Sequence, residues 1–383
     1  MKEYNENGYR VQREKSKIIV EKDNGQKSLF DLVEKSSSIG KINIPLSNIC
    51  TMECLYCSEA EYNRKQRISL DSHISHEIID AYIEWISNYP EIKEVRLSFD
   101  YGGEPVCQLN ILEDVVCYFR KKCQMQELKS IVLLTTNGAW DKKLLPRVID
   151  CADEIIVSLD GPKALHEKYR KYKNECSVFD LIVKNTLEIK RVGKLKHISS
   201  VITQDTIKQP EKYIRFFMEL FPYSTIKISA VIMTGNAIKN GVERVPLKDW
   251  KKFVCEINHI VDGKITIIDS KPEKKCDYKY IYGCEHMRMT NWFYWLDGKI
   301  SCCTDRENTN YYIGYVKDEI LKMDYLLMHK LKKYNAVENI EKCKGCLAKY
   351  YCCGGCPEFR EDKLNCEKRV EKYAKIFIQK SKI

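Results

Sequence analysis

The chain has 383 residues, 44% of them hydrophobic and 31% charged, with a formal net charge of +10. That is the make-up of a globular protein, either one large domain with a smaller one or a single elaborated barrel, and it excludes a disordered chain. No apolar run approaches the roughly 20 residues that span a bilayer, and residues 1–21 are polar with no secretory signal core, so the expected compartment is the cytoplasm with no membrane partner. The lysines read as scattered, without a basic run interleaved with aromatics, so no nucleic-acid partner is expected.

In chain order, residues 1–40 read as a short polar lead-in with little periodicity. A strand is predicted over 41–46, and a first cysteine group follows it. Ile74, Ile78, Tyr82 and Ile86 then recur at helical spacing, with Asp71 or Ser72 as the N-cap. Strands are predicted over 94–99, 131–136, 154–159, 197–203 and 225–232, alternating with helices over 111–122, 179–191 and 211–220. This alternation predicts β/α units around a parallel sheet. Six units are too few for the usual eight-unit barrel, so the fold class is α/β, a partial (β/α)6 TIM-like barrel over 41–235. Residues 236–275 read as a connector with one helix over 250–261. Residues 276–383 read as a small cysteine-rich domain with a C-terminal helix.

The cysteine loop, Gly102-Gly103, Asn137-Gly138 and Asp160-Gly161 all fall just after predicted strands. In barrels that edge carries the site. The chain has nineteen cysteines, ten of them between Cys276 and Cys366. Cytoplasmic thiols stay reduced, so clustered cysteines point to metal rather than disulfides. Cys50, Cys54 and Cys57 put three thiols in eight residues, one fewer than the four ligands of a cubane [4Fe–4S] cluster, which would leave one iron open. A zinc site completed by a distant residue is the alternative, although zinc knuckles favour paired C-x2-C ligands.

The C-x3-C-x-aromatic-C spacing after a first strand resembles the radical S-adenosylmethionine (radical SAM) superfamily. Gly102-Gly103-Glu104-Pro105, Thr136-Asn137-Gly138 and Ser158-Leu159-Asp160-Gly161-Pro162 resemble its downstream motifs. The resemblance implies that S-adenosylmethionine chelates the open iron, is cleaved, and yields a 5′-deoxyadenosyl radical that takes a hydrogen atom from substrate. It implies cofactor contacts from Tyr56, Gly102, Gly103, Glu104, Pro105, Asn137, Ser158 and Arg170. His166 is read as structural.

Further on, Cys284 and Cys303, with Gly298 between them, precede Cys343, Cys346, Cys352, Cys356 and Cys366. This resembles the seven-cysteine signature of the SPASM domain, which follows many peptide-modifying radical SAM enzymes. The resemblance implies an auxiliary [4Fe–4S] cluster on Cys284, Cys303 and Cys356, and a second on Cys343, Cys346, Cys352 and Cys366, hence three clusters in all; a zinc ribbon is the alternative. Thr290 stands where some SPASM enzymes supply a fourth cysteine to the first auxiliary cluster, so Cys276, Cys302 or an open position completes it. In sulfatase-activating relatives an aspartate directly follows the cysteine matched by Cys303. Here Thr304 intervenes, and Asp305 is the candidate catalytic residue. Cys353 reads as a spare thiol, and Cys107, Cys117, Cys123, Cys151, Cys176 and Cys255 as buried apolar thiols.

The expected function is that of a peptide maturase: hydrogen abstraction from a ribosomally made peptide or protein, giving a thioether or carbon–carbon cross-link or another two-electron oxidation. An anaerobic sulfatase maturase forming formylglycine and a small-molecule radical SAM dehydrogenase are the alternatives. The implied partners are the precursor peptide and a low-potential electron donor such as ferredoxin or flavodoxin; residues 1–40 read as too short for a complete peptide-recognition domain, so a leader is expected to bind a separate leader-binding protein, the barrel, or nothing.

Overall fold

The structure is a computed structural model that describes residues 3–34, 37–61, 67–173, 176–269, 278–282, 284–357 and 363–382. Its centre is an eleven-stranded sheet. Strands Ile39–Asn43, Glu94–Phe99, Lys129–Thr136, Glu154–Ser158, Leu195–Ile202, Thr225–Ala230 and Thr266–Ile268 lie side by side in chain order, every neighbouring pair parallel. Strand order that never reverses is the order of a barrel wall rather than of a doubly wound sheet.

The pleat separates two faces. Val95, Leu97 and Phe99, Val132 and Leu134, Ile198 and Ile202, and Ile226 and Ile228 are buried and belong to the main core, as do residues of the helices Ser72–Ile86, Leu109–Met125, Phe179–Arg191 and Pro210–Leu220. The alternate positions are only half-buried or exposed and mostly polar, Arg96, Ser98, Thr135, Ser199, Lys227 and Ser229 among them, with Ile131, Leu133 and Val201 interspersed. Parallel strands are ordinarily apolar on both faces. A polar, open face on this sheet is therefore a lumen wall. Asn43 donates to Ser98 at 2.9 Å and Thr135 to Asp100 at 2.5 Å along that wall.

Three features differ from the sequence reading. Residues 1–40 are not a featureless lead-in: Glu3–Glu6, Tyr9–Glu14, Lys17–Lys22 and Lys27–Asp31 form a four-stranded antiparallel sheet. The first hairpin turns on Asn7-Gly8, both at positive φ (48° and 78°), the pair that a two-residue turn favours. Val11, Ile18 and Val20 join Tyr373 and Phe377 of the C-terminal helix Lys363–Lys380 in a second core. The connector also contributes to the sheet, since Thr266–Ile268 is its seventh parallel strand. The sheet then continues past Ile39–Asn43 into Asn291–Tyr294, Lys299–Ser301, Tyr312–Lys317 and Ile320–Met323, so the cysteine-rich region is joined to the barrel wall by hydrogen-bonded strands.

Candidate active site

The first cysteine group lies on the loop after strand Ile39–Asn43. Its middle, Met52–Cys54, pairs antiparallel with Arg170–Tyr172, placing Cys54 opposite Arg170. Leu55 N donates to Tyr169 O at 2.8 Å, and Cys57 N to Cys54 O at 3.2 Å. The thiols sense one another. Burial pushes Cys50 up to about 11, with Glu104 and Cys57 adding. Burial pushes Cys54 up to about 12 against the pull of Arg170, with Cys57 and Cys50 adding. A buried trio of this kind, with a single guanidinium nearby, holds thiolates only against a strongly cationic centre. Among the described residues, no three Cys, His, Asp or Glu side chains converge closely enough to hold one metal ion.

The turn Gly102–Pro105 is laced to the residues just ahead of Cys50. Gly103 N donates to Ser47 O at 2.6 Å and Glu104 N to Ile49 O at 2.7 Å. A Cβ on Gly103 would lie 2.1 Å from Ile49 O, and Gly102 sits at φ +87°; both positions need glycine. Glu104 is buried and carries three donors of its own chain: Thr136 Oγ1 at 2.6 Å, Val106 N at 3.2 Å and Asn137 N at 2.7 Å. Burial nonetheless lifts its carboxyl to about 6. Asn137 in turn points Nδ2 at Thr51 Oγ1, 3.2 Å, and at Cys50 Sγ, 3.6 Å. Pro105 opens the short 3-10 turn Pro105–Gln108.

A second hub is Asp160, which the sequence shows only as part of a turn. Its Oδ2 accepts from the Tyr56 hydroxyl and from Arg170 Nε at 3.1 Å, and its Oδ1 accepts from Val201 N at 2.9 Å. Arg170 Nη1 approaches Cys54 Sγ at 3.9 Å, and the guanidinium lies 5.6 Å from the Tyr56 ring centre. Thus Tyr56 and Arg170 converge on one carboxylate, and Arg170 links it to Cys54. Ser158, at the end of its strand, is level with Ser199 on the next. His166 accepts from Asp160 N at 3.2 Å through Nδ1 and is buried, its pKa lowered to about 4 by desolvation.

In the C-terminal region Cys343, Cys346, Cys352 and Cys366 line one cavity of about 370 Å³, and Arg369 Nη1 donates to Cys352 Sγ at 3.3 Å. Burial raises the Cys303 thiol, and Cys284 and Cys356 both add to the shift. Cys302 is fully buried in the main core; Cys276 lies outside the described residues. Thr290 is buried, its carbonyl accepting from Lys41 N at 2.9 Å and Tyr82 Oη at 2.8 Å. Asp305 is exposed, and its N–H faces Cys303 Sγ at 3.4 Å. Cys353 donates to Tyr350 O and Tyr280 O, so its hydrogen is already engaged. Of the isolated thiols only Cys123 and Cys151 are buried. Cys107 is half-buried near Cys50, while Cys117, Cys176 and Cys255 are exposed, contrary to the sequence expectation. Cys117 and Cys255 lie on the outer faces of amphipathic helices, where no apolar neighbour covers them.

The Radical SAM superfamily model matches residues 44–217, the span that contains the thiol loop, the Gly102–Pro105 turn and Asp160. The chain carries a radical SAM domain and is a radical SAM enzyme; as such it uses S-adenosylmethionine and a [4Fe–4S] cluster. A cysteine-type anaerobic sulfatase-maturating enzyme of Clostridium novyi is 20% identical over 347 residues, covering 85% of this chain and 89% of that protein. Another, from Clostridium perfringens (strain 13 / Type A), is 21% identical, with coverage of 87% and 92%. The radical SAM cyclopropyl synthase TigE of Paramaledivibacter caminithermalis is 26% identical over 220 residues, which span 53% of this chain and 44% of that protein. The solved structure of native anSMEcpe with bound AdoMet superposes with a TM-score of 0.60 at 17% identity, covering 90% of this chain and 99% of that one, which shows a common fold. Among the described residues no helix is long and apolar enough to cross a membrane.

Proposed function

We propose that the chain oxidatively modifies a residue of a ribosomally made peptide or a protein, with the radical cluster on Cys50, Cys54 and Cys57. The observation that carries this reading is the convergence of two carboxylate hubs on the thiol loop, Glu104 through Asn137 and Asp160 through Arg170, at the rim of a polar lumen. When bound, S-adenosylmethionine and its cluster supply a carbon radical that removes a hydrogen atom. The chain's part is to hold and screen. Asn137 and Arg170 present N–H groups to the Cys50 and Cys54 sulfurs that would hold the cluster, Gly102 and Gly103 let the turn they open lie against the thiol loop, and Tyr56 and Ser158 would line the approach. Charge-assisted donors near sulfur stabilise the more reduced, more negative cluster.

The substrate class rests on the relatives. Two maturating enzymes match over most of this chain, and the neighbouring fold includes a native anSMEcpe complex with a peptide named Kp18Cys. The half-open polar wall from Ser98 to Ser229 suits backbone amides and polar side chains. The same matches favour formylglycine formation as the second reading, against which stands Thr304 in the position after Cys303. In a SPASM-type reading Cys284, Cys303 and Cys356, and the four cysteines of the 370 Å³ cavity, hold two further clusters that take up the second electron. A low-potential donor reduces the protein, and a separate leader-binding protein delivers the peptide.

The test is anaerobic. Reduced protein with S-adenosylmethionine should yield 5′-deoxyadenosine, and the triple Cys50, Cys54, Cys57→Ala variant should yield none. Presented with a cysteine-containing sulfatase peptide and with peptides encoded beside its gene, the enzyme should modify the latter into a cross-linked product. Formylglycine in the former would establish the second reading instead.

A further inference from the structure

The chain's positive charge is not scattered as its sequence first suggests. Residues 325–383 carry fourteen Lys and Arg against seven Asp and Glu, so this stretch supplies seven of the ten net charges. On the helix Tyr325–Asn335, residues Leu326, Lys330, Lys333 and Tyr334 are spaced by four, seven and eight positions, one helical face. All four are exposed, Leu326 at 65% and Tyr334 at 69%. The other face is seated through Met328 and Asn335.

A groove of about 590 Å³ leads from Lys330, Lys333 and Tyr334 to Lys344. The carboxylates along it are already engaged, Glu338 with Lys349 and Glu341 with Lys344, so the groove presents net positive charge. It ends at the turn Glu341–Cys343, and Cys343 itself lines the four-cysteine cavity. Leu326 and Tyr334 stand in line with Lys330 and Lys333 on this face. An aromatic and an aliphatic anchor ringed by cations is the composition of a docking face for an acidic partner.

We propose that this face docks an acidic one-electron carrier protein of the flavodoxin type beside the cavity of Cys343, Cys346, Cys352 and Cys366. The proposal rests on reading those cysteines as cluster ligands. In each encounter the carrier's reduced flavin gives up one electron and the iron–sulfur protein gains it. The basic groove steers the encounter, and Tyr334 and Leu326 supply contact once charges have met.

The experiment uses the anaerobically purified, iron-loaded full chain and an acidic flavodoxin as the probe. Binding and flavodoxin-driven reduction are measured at low salt and at about 0.5 M salt, where the screening length falls to a few ångström. The Lys330→Glu/Lys333→Glu variant should bind and be reduced about tenfold or more weakly at low salt, and Tyr334→Ala should weaken binding at both salt concentrations. Lys251→Glu/Lys252→Glu, an equal charge change on the exposed face of the helix Leu247–Ile260, should stay within about twofold of wild type. Reduction by dithionite should be the same in all four proteins. Equal flavodoxin affinity in wild type and Lys330→Glu/Lys333→Glu, or no flavodoxin binding by wild type at low salt, overturns the proposal. Iron content and visible absorbance report separately on the cluster reading. Protein lacking the C-terminal iron but still binding flavodoxin through Lys330 and Lys333 would uphold the docking face and refute the ligand assignment.

Discussion

Glu104 accepts the backbone N–H of Asn137 at 2.7 Å, and Asn137 points its amide at Cys50. The carboxylate of the Gly-Gly-Glu-Pro turn is thereby a brace between two strand ends, one step removed from sulfur. Glu104→Gln keeps the shape but sets an amide N–H₂ against a backbone or hydroxyl donor. It should lower stability by about 1–3 kcal/mol, read by thermal melting of the cluster-free protein. It should also slow 5′-deoxyadenosine formation. An unchanged melting temperature would show that the brace is dispensable.

Gly103→Ala is expected to be worse than Glu104→Gln. The new Cβ meets the Ile49 carbonyl at 2.1 Å, backbone against backbone, with no flexible side chain to yield. The thiol loop must move. Iron at the proposed radical site, followed by visible absorbance after reconstitution, should fall by half or more, and any iron held by the C-terminal cysteines should stay.

Asp160 and Arg170 are both largely buried. Arg170→Ala leaves the carboxylate with the Tyr56 hydroxyl and Val201 N but no cation, a loss on the order of 3 kcal/mol. Arg170→Lys keeps the charge without the fork and should recover part of it. Arg170→Ala should also shift the reduction potential of a cluster on Cys54 downward, since the N–H near its sulfur is lost. A potential unmoved in Arg170→Ala would rule out the guanidinium as a tuning group.

Acid stability should show His166. Its pKa is lowered in the fold to about 4, against about 6.5 when unfolded. A depressed base contributes stability that is whole above its unfolded pKa and is lost as pH falls from about 6.5 toward 4, on the order of 3 kcal/mol. His197, lowered likewise by burial, adds to the same slope. His166→Asn retains an acceptor for Asp160 N without a titrating ring. Denaturant melts across that pH range should be flatter for this variant than for wild type.

If both C-terminal cysteine sets hold clusters, reconstituted protein should bind about twelve irons. Cys303→Ala should lose about four of them, still cleave S-adenosylmethionine, and fail to complete the product. Full product formation by folded variant protein would assign that site to structure alone.

Six strands of the barrel wall are legible in the sequence, most of them with ends displaced by one to three residues, while the seventh, Thr266–Ile268, lies in what reads as a connector. The strand Glu94–Phe99 and the helix Phe179–Arg191 fall where the period-2 and period-3.6 patterns place them, because each buries one apolar stripe against its neighbours. The N-terminal sheet is not, although Asn7-Gly8 is a readable turn. Its strands are short and flank their few apolar residues with charges, and the surface that completes them, Tyr373 and Phe377, lies at the far end of the chain. Asp160 escapes for the same reason. The Ser-Leu-Asp-Gly-Pro turn is visible, but its service to Tyr56 arises from pairing over about a hundred positions. The cysteine spacing shows which thiols are neighbours along the chain, whereas exposure of Cys117 and Cys255 depends on how each helix is rotated.

The N-terminal sheet has a consequence for the order in which the molecule can be finished during synthesis. Arg13 donates to the carbonyl of Cys346, 333 positions away, and Val11, Ile18 and Val20 share their core with the last helix. The barrel strands, by contrast, join neighbour to neighbour and can close as they leave the ribosome. The earliest-made strands must therefore wait, half-covered, until almost the whole chain has emerged. If Cys343, Cys346, Cys352 and Cys366 hold a cluster, its loading belongs after that moment, whereas a cluster on Cys50, Cys54 and Cys57 could be loaded before it. A chain interrupted before residue 370 would leave an apolar sheet face without its cover, a template for aggregation, even with its radical site intact.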